Sequence, residues 1–125
     1  FAKGNYAEFL VGIGDPDGAI RYAREALAIA NYGAAHRTLA KALVEKGDAA
    51  LWDMGDPEAA RASFDAAIEA DPTYSPAYYR RAAYYQAVAR KHADPSLSVK
   101  VRAELEACAS VDAKNELCRK ALARR

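Results

Sequence analysis

Apolar residues recur along this chain at helical spacing. They fall at Ala19, Ile20, Ala23, Ala26, Leu27 and Ala30, and again at Ala60, Phe64, Ala67 and Ile68. Steps of three and four put such residues on one side of an α-helix. His36, Ala40, Leu43, Gly47, Ala50 and Met54 make a longer stripe, which predicts one helix over residues 34–54. Gly47 is its weak point, because glycine inside a helix costs about 1 kcal/mol relative to alanine. A competing reading stops that helix at Lys46 and makes Gly47-Asp48 a turn. Tyr78, Ala82, Tyr85 and Ala89 predict a helix within 76–92, and Leu97, Val101, Leu105 and Cys108 another after Pro95. A short last helix is expected from Ala113 to about Ala123, burying Leu117, Cys118, Ala121 and Leu122. About seven helices result, with no convincing strand and with short loops, which force antiparallel neighbours.

The turns between these helices repeat. Gly14-Asp15-Pro16-Asp17-Gly18-Ala19 returns 41 residues later as Gly55-Asp56-Pro57-Glu58-Ala59-Ala60. A weaker copy, Ala93-Asp94-Pro95-Ser96, lies 38 residues beyond the second. Aspartate at an N-cap accepts hydrogen bonds from free amides of the first helical turn. Proline at the next position loses no needed donor. Each copy therefore ends one helix and starts another, while Asp71-Pro72 stops the helix that begins at Pro57. Helical hairpins repeating at about forty residues are expected to stack into an all-α, right-handed solenoid of antiparallel helix pairs.

These residues resemble the tetratricopeptide repeat, whose pattern reads W-x2-L-G-x2-Y on a first helix and A-x3-F-x2-A-x4-P on a second. Ala60-x3-Phe64-x2-Ala67-x4-Pro72 fits the second half at every position. Ala19-x3-Ala23-x2-Ala26 fits two turns, with Ala23 for the aromatic and Asn31 for the proline. His36-x2-Leu39-Ala40-x2-Leu43 is similar to the first half, as are Tyr6-Ala7-x2-Leu10 and Tyr78-x3-Ala82-x2-Tyr85. The resemblance implies one domain over 1–125, with repeats at about 1–31, 34–72 and 76–109 and a capping helix at 112–124. It implies that Ala7, Ala19, Ala26, Ala40, Ala60, Ala67 and Ala82 let paired helices approach closely, while Phe64 and Tyr85 fill spaces between repeats. It covers about residues 1–92. Beyond Pro95 the expected alanine and phenylalanine positions hold Ser98 and Arg102. The first offset of 41 exceeds the family's 34 by seven residues, about two helical turns. That extension carries Leu51 and Trp52 beyond the usual edge of the solenoid.

Composition and charge sharpen this. Alanine occurs 31 times, so much of the apolar fraction suits close helix contacts. No run reaches the length of a membrane span. Net charge is +1, but residues 1–75 carry 7 Lys/Arg against 12 Asp/Glu, and residues 76–125 carry 11 against 5. An acidic front and a basic back suit an elongated molecule with two electrically different ends. The chain begins at Phe1 rather than Met, which leaves room for a removed targeting segment. Cys108 and Cys118 lack a CxxC spacing. The burial habits of free cysteine favour two small core residues on adjacent helices. A disulfide between those helices is the alternative, and it would imply an oxidising compartment.

No motif for catalysis stands out. His36 and His92 do not form HExxH; His36 sits where the family places tryptophan and is read as a packed residue. Ser63 lacks the G-x-S-x-G context. Asp15-Pro16-Asp17-Gly18 lacks the further acidic ligands of a calcium loop and reads as a helix cap. Arg119-Lys120 and Arg124-Arg125 read as a solvated helix end rather than a nucleic-acid site. No catalytic residue, metal or cofactor is expected, and no enzyme. The resemblance implies protein or peptide binding on a concave face of first helices. Carrying the family's groove positions over gives Glu8, then Arg37, Lys41 and Glu45, then Tyr79, Ala83 and Gln86, with Trp52 as a secondary surface. Tyr78 and Tyr85 are assigned to the core and Tyr84 to the face toward the next helix pair. The family's Lys, Asn and Arg clamp for chaperone tails is not reproduced, since Gly4 and Glu8 hold the first-repeat positions. The expected role is an adaptor or scaffold. A self-assembling repeat protein, or an accessory helical domain of a larger protein, is the alternative. Alanine and arginine richness suggests a bacterial source, cytoplasmic or, with a disulfide, periplasmic.

Overall fold

The computed structural model describes residues 2–29 and 33–124, and their side chains from residue 7 onward. Among the described residues seven α-helices follow in order: α1 (Ala2–Gly12), α2 (Pro16–Ile29), α3 (Gly33–Asp48), α4 (Pro57–Ala70), α5 (Ser75–His92), α6 (Ser98–Val111) and α7 (Glu116–Ala123). No strand occurs among the described residues. Consecutive helices pack as antiparallel pairs, α1 on α2, α3 on α4 and α5 on α6, in an all-α solenoid.

The three Asp-Pro turns do what their chemistry dictates. Asp15 accepts from the Gly18 amide at 3.0 Å, Asp56 from Ala59 at 3.1 Å and Asp94 from Ser96 at 3.0 Å. Each turn needs a left-handed residue just before the aspartate. Gly14 (φ 81°) and Gly55 (φ 63°) supply it, and in the third copy Ala93 does so at φ 48°. All seven alanines assigned to close helix contacts are buried.

No turn interrupts the long helical stripe at Gly47. Helix α3 runs to Asp48 and passes directly into a π-turn, Ala49–Asp53. Gly47 has a reason to be glycine: a Cβ there would lie 2.4 Å from a ring carbon of Phe64, itself fully buried. The π-turn rotates the end of the stripe. Leu51 is buried, whereas Met54 is 68% exposed and Trp52 59%. Met54 therefore does not continue the buried stripe as its spacing suggested, because a π-turn takes one more residue per hydrogen-bonded ring than an α-turn.

Three readings of the rear shift. Pro95–Leu97 form a 3-10 turn before α6 begins at Ser98. These extra residues move the third helical hairpin out of the register counted from its Asp-Pro. The amide of Asp112 donates to the Cys108 carbonyl, as that of Asp71 donates to Ala67. By that match Val101, Leu105 and Cys108 stand where Ala60, Phe64 and Ala67 stand in α4, and Ser98 and Arg102 are exposed surface. Helix α7 starts at Glu116 rather than Ala113, because Asn115 is its cap and accepts from the Cys118 amide at 3.2 Å. Leu117 is 56% exposed, not buried; Cys118 takes the inward position. Third, Cys108 and Cys118 are joined by a disulfide, so the two-free-thiols reading does not hold. Asn115 also donates to Ser75, which donates to Asp112, tying the α6–α7 turn to the start of α5.

Two apolar clusters result. The larger runs from Ala7 and Leu10 through Leu43, Leu51 and Phe64 to Tyr84. The smaller joins Ala82, Leu105, Cys108 and Cys118, with Tyr78, Tyr79, Val101 and Leu122 packed on it. Tyr84, at 4% exposure, is the buried member of its pair, and Tyr85 lies half-buried beside it with the rings edge to face at 5.2 Å. Tyr84 thus belongs to the core rather than to the face toward the next helix pair, while Tyr85 packs against that core partly buried.

Candidate functional site

The candidate face lies where α3 meets α5. Along α3, Arg37, Lys41, Glu45 and Asp48 lie three or four residues apart, so they share one side of the helix. Tyr74, which caps α5, and Arg80 on α5 approach this side. Arg37 Nε donates to Asp71 at 2.8 Å, its Nη2 donates to Thr73 at 3.2 Å, and its guanidinium lies 5.5 Å from the Tyr74 ring centre. Arg80 pairs with Asp48 at 3.3 Å and lies 5.9 Å from the Tyr79 ring centre.

The carboxyl groups on this face are not equivalent. Burial pushes the Asp48 carboxyl up, and Arg80 opposes the shift without cancelling it. Burial and the neighbouring Asp48 push Glu45 up. Burial acts on Asp71 in the same direction, but hydrogen bonds from Thr73 and Arg37 outweigh it and hold that carboxyl below its usual range. Burial also raises the Tyr74 hydroxyl, against the nearby Arg37 and Arg80. Two ion-paired clusters thus flank Lys41: the one around Arg37 is hydrogen-bonded, whereas in the one around Arg80 the buried Arg80 Nε and Asp48 Oδ1 have no hydrogen-bond partner among the described residues. Lys41 itself is half-buried and has no ion pair or hydrogen bond among the described residues.

The structure distributes the sequence-derived candidates unevenly. Arg37, Lys41 and Glu45 come together. Tyr79 turns partly toward the smaller apolar cluster. Ala83 is half-buried on α5. Gln86 lies apart from Lys41, lining a separate groove between α5, α6 and α7. Glu8 is exposed on α1. Asp48, Tyr74 and Arg80 belong to the face and were not among the candidates. Helical spacing from Glu45 would have found Asp48; Arg80, adjacent to Tyr79, is reached only by packing.

Among the described residues, no group of His, Cys, Asp and Glu is arranged to hold a metal ion, and no helix is long and apolar enough to cross a membrane.

The sequence profile of the tetratricopeptide repeat matches residues 2–73. With the paired-helix solenoid this places the chain in the tetratricopeptide repeat family. Members of the family generally mediate protein–protein interaction and are typically not enzymes. No curated protein sequence matches the chain.

Proposed function

We propose that this domain is an adaptor whose α3–α5 face binds an extended segment of a partner protein, seating an acidic side chain or a C-terminal carboxylate at Lys41. The observation that carries this reading is the state of the cations. Arg37 and Arg80 are held by Asp71 and Asp48, so recruiting either would break an internal ion pair. Lys41 can take a new carboxylate without that loss, and an unpaired charge on a half-buried face gains most from one. Tyr79 and Tyr74 offer aromatic contact area at low entropic cost.

Affinity capture from the source lysate tests this, with wild type run beside Lys41→Glu and Tyr79→Ala and circular dichroism confirming that all are folded. A partner retained by wild type and lost by the variants supports the groove. Unchanged capture by both variants overturns it and moves the search to Trp52.

The charge split favours a second reading, assembly of the acidic front of one copy on the basic back of another. Sedimentation that depends on concentration and collapses with salt would support it, and a monomer at high concentration would exclude it. The disulfide supports an oxidising setting such as a bacterial periplasm. Mass spectrometry of alkylated protein taken directly from cells reads the thiol state.

A further inference from the structure

Helices α5 and α7 start from equivalent caps but differ in length. The Tyr74 amide donates to the Asp71 carbonyl, and the Asn115 amide donates to Asp112 in the same way. From there α5 runs for 18 residues and α7 for 8. The difference is nearly three helical turns, or about 15 Å of helix.

In the preceding repeat the later turns of α5 have a definite task. Tyr84, Ala87 and Val88 pack into the larger cluster that holds Phe64 and Leu51. They cover the groove between α3 and α4. Among the described residues, where α7 ends at Ala123, the corresponding groove between α5 and α6 has no such cover. It remains as an open trough of about 590 Å³. Its floor is apolar, formed by Ala89 of α5, Val101 and Leu105 of α6 and Leu122 of α7. Its rim carries three arginines, Arg90, Arg102 and Arg124, against one carboxylate, Asp94. Asp94 already accepts from both the amide and the hydroxyl of Ser96. Arg102 has a solvent-exposed pair with Glu106, and Arg90 and Arg124 have no acidic partner among the described residues.

We propose that this arginine-rimmed trough between α5, α6 and α7 docks a short amphipathic helix of a partner protein. The helix carries an apolar stripe and acidic flanks. It takes the place that the last turns of α5 take in the repeat before, so the chain's own packing supplies the template. Helical spacing would lay two or three apolar side chains along Val101, Leu105 and Leu122. Glutamates beside that stripe would meet the guanidinium groups, which bind carboxylates through two parallel hydrogen bonds. The site is separate from the Lys41 face and does not rest on it.

The test uses the disulfide-intact chain and a fluorescein-labelled helical peptide of about four turns, with leucines at i, i+3, i+4 and i+7 and glutamates between. Two controls are a peptide with lysine for glutamate and one with the same residues in an order that breaks the stripe. Anisotropy should show saturable binding of the acidic helix alone, weakening with salt. Arg90→Glu combined with Arg124→Glu, both on the exposed rim, should weaken it about tenfold or more. Val101→Asp should do the same by charging the floor, with thermal melts confirming the fold. Lys41→Glu should leave it unchanged, so failure of the Lys41 reading and failure of this one are distinguishable. Equal binding of the lysine or scrambled peptide overturns the proposal, as does insensitivity to the arginine reversals. Decanoate displacing the peptide while itself losing affinity in the same variants would also overturn it, making the trough a site for an amphiphilic anion.

Discussion

In the front two repeats, Ala19, Ala40, Ala60 and Ala67 are wholly buried, and Phe64 fills the space left by Gly47. At the rear, α6 and α7 bury Leu105 and a cystine, and α7 has only eight residues. Both ends use the same hairpin, but they are stabilised differently. The front relies on close contact between small side chains and one large aromatic, so its cohesion comes from buried area and packing. The rear has a small cluster and an exposed trough, and a covalent bond holds its last helix in place. An eight-residue helix is too short to be stable alone. Without the bond, the contacts of Cys118, Ala121 and Leu122 would have to order it.

The comparison breaks most visibly at Phe64. Phe64→Ala should cost about 3–5 kcal/mol, because a fully buried aromatic leaves a cavity that α3 and α5 cannot close. Urea denaturation should show the whole front unfolding earlier. Little change in midpoint would mean that Phe64 is not the packing centre of its repeat.

Replacing Cys108 and Cys118 by serine should cost about 2–3 kcal/mol, the value expected for opening a loop of this length. The loss should be local. Hydrogen exchange should rise in α7 and the end of α6, while α2 to α4 keep their protection. Uniform loss of protection would show that the rear is no separate unit.

Arg81 joins the two regions. It donates to Glu104 of α6 at 2.9 Å and to Asp65 of α4 at 3.0 Å. Both partners favour its charged form, and burial opposes them only in part. Because the Glu104 side chain is only 13% exposed, Arg81→Ala leaves a carboxylate largely out of water. The expected loss is about 2 kcal/mol. Adding Glu104→Gln should recover part of it, and a double-mutant cycle reads the coupling. Additive losses would remove Arg81 as the link between the clusters.

The unequal legibility of the two ends has the same physical origin. The front follows rules that act within one turn. An aspartate caps, a proline starts, and small residues recur at helical spacing, so Asp15, Asp56 and the buried alanines can be located from the chain alone. The rear depends on events that spacing does not encode. A 3-10 turn at Pro95–Leu97 shifts the repeat register, so Ser98 and Arg102 only seem to hold the packing positions. Adjacent tyrosines differ by about 100° around a helix, and the choice of Tyr84 over Tyr85 is made by where α4 lies. The ten-residue separation of the cysteines becomes a bond only because Asn115 sets where α7 begins. The candidate face divides likewise. Arg37, Lys41 and Glu45 follow from helix period, whereas Tyr74 and Arg80 reach it through packing.

The smallest effect probes the repeat turn itself. Gly14 and Gly55 adopt positive φ without steric cost, but at the third turn the same conformation falls on Ala93. A Cβ in the left-handed region costs about 1–2 kcal/mol. Glycine removes that strain but adds conformational freedom to the unfolded chain, which offsets part of the gain. Ala93→Gly should therefore stabilise the protein by up to about 1 kcal/mol, against the usual direction for a change to glycine. A thermal melt a few degrees higher would show that the third turn is a strained copy of the first two. A lower melting temperature would mean that Ala93 relaxes out of the left-handed region and that the rear turn is built differently from its counterparts.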